Sequence, residues 1–185
     1  MEFYYVKTNL KQRKEMIIMA QDFNLDVKHI VAESTALGAT YYANHIFSVK
    51  MADNTDNGVI CARGNYIGDE YYEYADYAAG KEPMLVLAPP VMPFDGLKIY
   101  TGEERFYNAK DAVVRCYVLG VGDRFSLSEV AFDTAPAEGQ YVTFDPSTKT
   151  YAVSDVADKS QFCAKVLSKI VRSNLVMYKL VVESV

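Results

Sequence analysis

Hydrophobic and polar positions alternate through most of this chain, and the alternation is clearest between Arg124 and Val182. Phe125 and Leu127 alternate with Arg124, Ser126 and Ser128, and Val142 and Phe144 alternate with Tyr141 and Thr143, the period of two that a half-buried strand requires. Asp145-Pro146-Ser147-Thr148-Lys149 follows, with proline to preset φ and Asp to bond the turn backbone, so a hairpin returning through Tyr151 and Val153 is expected. Phe162, Ala164, Val166 and Ile170 form one face of a further strand and Lys165 and Lys169 the other. After Arg172-Ser173-Asn174 the same period resumes in Val176, Tyr178, Leu180 and Val182.

Earlier in the chain, His45-Ile46-Phe47-Ser48-Val49-Lys50 and Val59-Ile60-Cys61-Ala62-Arg63 read as two strands joined as neighbours by the polar turn Asp53-Asn54-Thr55-Asp56-Asn57-Gly58. Met84-Leu85-Val86-Leu87-Ala88 is a continuous apolar strand stopped by Pro89-Pro90, because proline has no donor for a sheet ladder. Ala112 to Leu119 is another strand, and Pro89 to Asn108 is a long connection containing a polar segment or short helix at Glu103–Lys110. The fold class expected is mainly β: a compact small β-barrel or sandwich in the C-terminal half (108–185), a front β region (45–107) and an extended N-terminal arm (1–44).

Within that arm, Lys14-Glu15 written AAG-GAG would form a purine-rich bacterial ribosome-binding sequence just before the Met19 codon. Residues 1–18 are therefore read as a gene-start artefact, with a genuine flexible or helical arm as the alternative.

Composition narrows the function. The 185 residues suffice for a core without metal or disulfides. The 15 Tyr and 9 Phe, against no Trp, favour sheet. A net charge of −5 argues against nucleic acid as a partner, since phosphate binding needs a local cation excess and the sequence offers only Lys11, Arg13 and Lys14. No apolar run approaches the ~20 residues of a membrane-spanning helix, so no membrane partner is expected. Cys61, Cys116 and Cys163 lack metal-ligand spacing and read as buried thiols in a reducing cytoplasm. The Asp53–Gly58 turn lacks the spaced acids and terminal Glu of a calcium loop.

Candidate chemistry is sparse. His29 and His45 are the only imidazoles, and neither has a Ser or Cys in a nucleophile motif; no phosphate-binding glycine loop occurs. Catalytic, cofactor and metal residues are expected to be none, and the chain is read as not an enzyme. A hydrolase with an unrecognised site would need His29 or His45 beside a carboxylate in a cleft. What the sequence does offer is Asp69-Glu70-Tyr71-Tyr72-Glu73-Tyr74-Ala75-Asp76-Tyr77, where Tyr71, Tyr72, Tyr74 and Tyr77 supply large, stiff, amphipathic side chains suited to protein contact. Packing of those tyrosines at a sheet edge is the plainer alternative.

Three segments carry a resemblance: Met84-Leu85-Val86-Leu87-Ala88-Pro89-Pro90-Val91-Met92, Asn108-Ala109-Lys110-Asp111-Ala112-Val113-Val114-Arg115, and Gly122-Asp123-Arg124-Phe125-Ser126-Leu127-Ser128-Glu129-Val130-Ala131-Phe132. With Gly139-Gln140-Tyr141-Val142, Phe162-Cys163-Ala164-Lys165-Val166 and Tyr178-Lys179-Leu180-Val181-Val182-Glu183, their order resembles small head structural proteins of tailed bacteriophages infecting Gram-positive hosts. The resemblance covers Met84 to Val185, rests on packing and turn residues, and departs from the group at Asp95-Gly96-Leu97, where a longer charged stretch is the pattern. It implies a capsid decoration (cement or auxiliary) protein that stabilises the capsid. It further implies the major capsid protein as partner, self-association through trimer or lattice contacts, manufacture in the bacterial host cytoplasm and a place on the virion surface. A tail or fibre accessory that recognises a host or virion ligand is the competing reading.

Overall fold

The computed structural model describes residues 28–90, 103–172 and 175–185. The chain is mainly β, as the alternation predicts, with eleven strands in two sheets among the described residues: β1 Ala32–Ala36, β2 Ile46–Lys50, β3 Ile60–Gly68, β4 Tyr71–Asp76, β5 Met84–Val86, β6 Val113–Val118, β7 Arg124–Ser128, β8 Tyr141–Asp145, β9 Thr150–Ser154, β10 Cys163–Arg172 and β11 Leu175–Ser184. The proposed gene-start segment 1–18, the basic cluster, and Val91-Met92 and Asp95-Gly96-Leu97 of the resemblance lie outside the described residues.

Strands β2-β4-β3-β5-β6 close into a barrel, and β1-β7-β11-β10-β8-β9 form a six-stranded sheet. The closed unit is therefore built from the front strands, and the C-terminal block is the sheet. Two strands cross the expected divisions. β6 closes the barrel against β2, with Ile46 opposite Tyr117 and Lys50 opposite Val113. β1, from the region read as a free arm, is an edge strand of the rear sheet, pairing Ala32 with Leu127 and Glu33 with Ser126.

The expected β2–β3 neighbour pair does not form. β2 lies between β6 and β4, pairing in parallel with the latter, Ser48 against Tyr71 and Lys50 against Glu73. The reason is the Asp53–Gly58 segment, which from Thr55 onward is a largely buried polar hub rather than a hairpin loop. Thr55 and Asn108 exchange both backbone hydrogen bonds at 2.8 Å, and the Asn57 side chain accepts from the Ala88 amide and donates to the Ala88 carbonyl. Asn108 Nδ2 donates to Asn57 Oδ1 and to the Thr55 carbonyl. Thr55, Asn57 and Asn108 are all buried, so these bonds satisfy groups that would otherwise cost about 1–3 kcal/mol each. Their geometry carries the chain away from β2 before β3 begins.

The uninterrupted apolarity of β5 has a structural cause. Cys61 and Cys116 place their sulfurs 3.8 Å apart across it, and their strand partners are Met84 and Val86, so this set faces the barrel interior. Leu85 points the other way, opposite Ile60 and Tyr117. It is nonetheless fully buried, in one core continuous with Phe125, Leu127 and Tyr151 of the rear sheet. A strand covered on both faces needs apolar residues at every position. Barrel and sheet are also tied by polar bonds: Tyr151 donates its hydroxyl to the Gly58 carbonyl at 2.6 Å, and the Phe162 amide donates to the Tyr77 hydroxyl at 2.8 Å.

Candidate protein-contact surface

β3 and β4 form a hairpin within the barrel wall, the first residues of β4 pairing with Ser48 to Lys50 of β2. Gly68 and Tyr71 are paired, leaving Asp69-Glu70 as a two-residue loop, and both loop residues have positive φ, 50° and 64°. This is the backbone sign that a type I′ turn requires, and such turns match the twist of the strands they join. Register shifts between Arg63 and Tyr66 and between Tyr66 and Gly68 re-aim the side chains of the outer part of β3. Gly64 makes the first shift sterically feasible, since a Cβ there would lie 2.6 Å from the Glu73 carbonyl oxygen.

The result is an aromatic cluster on the face that β2 and β4 share with Val49 and Cys116, since Phe47 is opposite Cys116 and Tyr72 opposite Val49, and it reaches solvent at Tyr66. The Phe47 and Tyr72 rings meet edge to face at 5.6 Å, and Tyr66 packs against Tyr72 at 5.4 Å. The Arg63 guanidinium lies 4.5 Å from the Phe47 centroid and 5.4 Å from that of Tyr72. Cation–π contacts at exposed sites are worth about 0.5–1 kcal/mol, so Arg63 stiffens the cluster. Tyr66 is 62% exposed and the adjacent Ile67 45%. Two more tyrosines, Tyr41 (83%) and Tyr42 (64%), stand out between the two short 3-10 turns before β2.

Among the four tyrosines expected to make contacts, Tyr72 is half-buried within this cluster and Tyr71 is half-buried at the hairpin tip. Tyr74 is largely enclosed: Lys149 of the rear sheet lies 5.5 Å from its ring centroid. Burial first, then the Cys61 thiol and the Asp76 carboxylate, push its phenol well above the usual value, so it stays neutral. Tyr77 does not belong to the contact set. It is 3% exposed and its hydroxyl is used by Phe162. Nor do these tyrosines sit at a sheet edge, because β4 has β2 on one side and β3 on the other. Phe47, Arg63 and Tyr66 are the members that sequence reasoning missed. The only signal for them was an Arg and a Tyr straddling Gly64, which identifies a bulge once the pairing is known.

The histidines fall differently. His29 Nδ1 is 2.7 Å from Asp56 Oδ1, the other Asp56 oxygen accepts the Ile30 amide, and the imidazole packs on Tyr107 at 5.0 Å. The structure thus supplies the histidine–carboxylate pair that a hydrolase would need. Among the described residues, no serine, threonine or cysteine hydrogen-bonds that imidazole, and the pair ties the start of the described chain to the polar hub. His45 stacks on exposed Tyr42 at 5.8 Å. Ile30 and Asn57, the residues following the pair, help to line a shallow cleft of about 150 Å³ with Glu33, Pro90, Glu103 and Phe106. That is well below the roughly 300–1,000 Å³ of sites that enclose a small molecule. Among the described residues, no group of three or more His, Cys, Asp or Glu is placed to hold a metal ion, and no helix is long and apolar enough to cross a membrane.

All three cysteines are buried free thiols. The neighbouring Cys61, then burial, raise the Cys116 thiol well above its ordinary value. Cys61 and Cys116 lie on strands separated by β5, and two ladder spacings amount to ~10 Å between backbones, too far for an unstrained disulfide.

No family model, no curated protein and no solved structure matches the chain.

Proposed function

We propose that this chain is a virion structural protein, a capsid decoration protein that binds the major capsid shell through the aromatic face of the β3–β4 hairpin. The observation that carries the reading is the Phe47–Arg63–Tyr66–Tyr72 cluster beside exposed Ile67, held on a closed barrel. Aromatic residues and Arg dominate the energetics of protein interfaces. A surface fixed by barrel closure and a tight turn loses little conformational entropy on binding. Modest contacts repeated over a symmetric shell then add to firm attachment. The order of turn and packing motifs from Met84 onward, which resembles phage head proteins, supplies the choice of shell as partner.

The test is uptake. Shells assembled without the protein, mixed with it at about micromolar concentration and pelleted, are expected to carry on the order of hundreds of copies, as a site repeated over the lattice demands. Tyr66→Ala with Ile67→Ser is expected to reduce uptake at least about tenfold. No uptake overturns the shell reading. A few copies per particle favours the tail or fibre accessory, and full uptake by the double variant overturns the choice of surface.

A further inference from the structure

The outer face of the rear sheet carries a cation cluster that is dispersed in the sequence. On that face Val181 of β11 is opposite Arg124 of β7 on one side and Lys165 of β10 on the other. Lys179 precedes it by two residues, so its side chain emerges on the same face. Strand spacing and rise place the three side chains within about 10 Å of one another, inside one screening length at ordinary ionic strength. Among the described residues no carboxylate lies within ion-pairing distance of any of the three; the acids on this face are Glu183, two residues beyond Val181, and Glu33, opposite Ser126 and paired with Arg172. The Lys165 ammonium lies 5.6 Å from the centroid of Tyr141, next along the same row. With Arg172 the face carries four cations against two carboxylates, so it is net positive in a chain of net charge −5 and suited to an anionic partner.

The complementary surface is on the barrel of the same molecule, and among the described residues no ion pair joins it to the cluster in its own copy. From Gly64 to Gly80 the chain has four acids, Asp69, Glu70, Glu73 and Asp76, and no Lys or Arg. All four are exposed, and Asp69 and Glu70 form the turn at the tip of the hairpin. We propose that the acidic tip of one copy seats on the Arg124–Lys165–Lys179 face of a second copy, giving weak head-to-tail self-association. Because donor and acceptor surfaces differ, the contact is heterologous: it closes into a ring or continues into a lattice, according to the rotation between copies. It leaves the aromatic side of the hairpin free. Charge pairs of this kind give steering and register more than affinity, which suits a contact that matters when copies are already arrayed.

Sedimentation velocity of the purified full chain tests this without any shell, so its outcome is separate from that of the shell reading. In about 50 mM salt the sedimentation coefficient is expected to rise with concentration up to about 1 mM, and in about 500 mM salt the association constant is expected to fall at least about tenfold. Asp69→Asn with Glu70→Gly removes the tip charges in residues that suit the turn, and is expected to leave a folded monomer, with unfolding curves as the check on folding. Lys165→Glu with Lys179→Glu is also expected to be monomeric, and mixing it with Asp69→Asn/Glu70→Gly, so that only one native tip and one native cation face remain, is expected to give a 1:1 heterodimer and nothing larger. The proposal is overturned by a wild-type monomer throughout that range, or by association that survives tip neutralisation. A shift produced only by a single-stranded DNA oligonucleotide would also overturn it, because the cluster would then serve nucleic acid.

Discussion

Tyr151 and Gly58 show how far one hydrogen bond can matter. Tyr151 sits at the centre of the aromatic packing of the rear sheet, with Phe132, Phe144 and Phe162 around it at 5.3–6.2 Å. Its phenol, fully buried and raised well above its ordinary pKa by that burial, bonds to the Gly58 carbonyl in the polar hub. Gly58 itself has φ of +87°, and a Cβ there would lie 2.6 Å from Leu127 Cδ2. Removing the hydroxyl leaves a buried carbonyl without this donor, so Tyr151→Phe is expected to lower stability by about 1–3 kcal/mol. Gly58→Ala, which adds both a clash and a disfavoured φ, is expected to cost more. Urea unfolding of the two variants checks the order. Neither role was legible in the sequence, where Gly58 was the last residue of a turn and Tyr151 one member of a hairpin, because the bond spans 93 positions. The tyrosine-rich segment was legible as a feature, but its division into outward and inward side chains was not: alternation gives the two faces of β4 without saying which of them the rear sheet covers.

At the level of elements, the β3–β4 hairpin combines a favourable geometry with an unfavourable choice of residues. Asp69 and Glu70 both hold left-handed backbone angles; Asp tolerates this region, and Glu does so at a cost of about 1–2 kcal/mol. Asn-Gly is the preferred pair for such a loop. Asp69→Asn with Glu70→Gly is therefore expected to raise stability by about 1 kcal/mol, partly offset by the larger entropy that glycine gives the unfolded chain, with the midpoint of chemical unfolding as the readout. A stabilised variant that no longer self-associates would show that the acids are retained for contact and not for folding. The strands themselves were readable from their period of two. β7, β8, β9, β10 and β11 fall where the alternation put them, and the Asp145-Pro146 turn joins β8 to β9 as expected. Strand order was not readable. The parallel β2–β4 pairing and the capture of β1 by β7 join segments separated by other strands, and local pattern has no term for such contacts.

The molecule as a whole joins two sheets through one core, and this has a consequence for how it unfolds. Ile60 and Leu85 on the barrel share a continuous buried cluster with Phe125, Leu127 and Leu180 of the rear sheet. The Tyr151–Gly58 and Phe162–Tyr77 bonds cross the same junction. β1 and β6 exchange sides in the sequence, so neither sheet consists of one contiguous stretch of chain: the rear sheet needs residues 32–36 from before the barrel, and the barrel needs 113–118 from after the long connection. Opening the barrel strips the inner face of β5 and exposes Met84 and Val86 to water, and withdrawing the sheet exposes Leu85 on the other face. A buried leucine is worth about 1.5–3 kcal/mol, and several such residues line this junction, so a state with one sheet folded and the other open lies well above both end states. Unfolding is therefore expected to be a single transition. Cys61 and Cys116 inside the barrel and Cys163 in the rear sheet provide internal reporters. With denaturant, thiol reactivity at all three is expected to appear together and to coincide with loss of the far-ultraviolet circular dichroism of the sheets. Reaction of the barrel pair at a denaturant concentration where Cys163 stays protected would mean that the barrel opens on its own. The aromatic face on its wall would then be a movable surface, and the low entropic cost of binding argued for the hairpin would have to be given up.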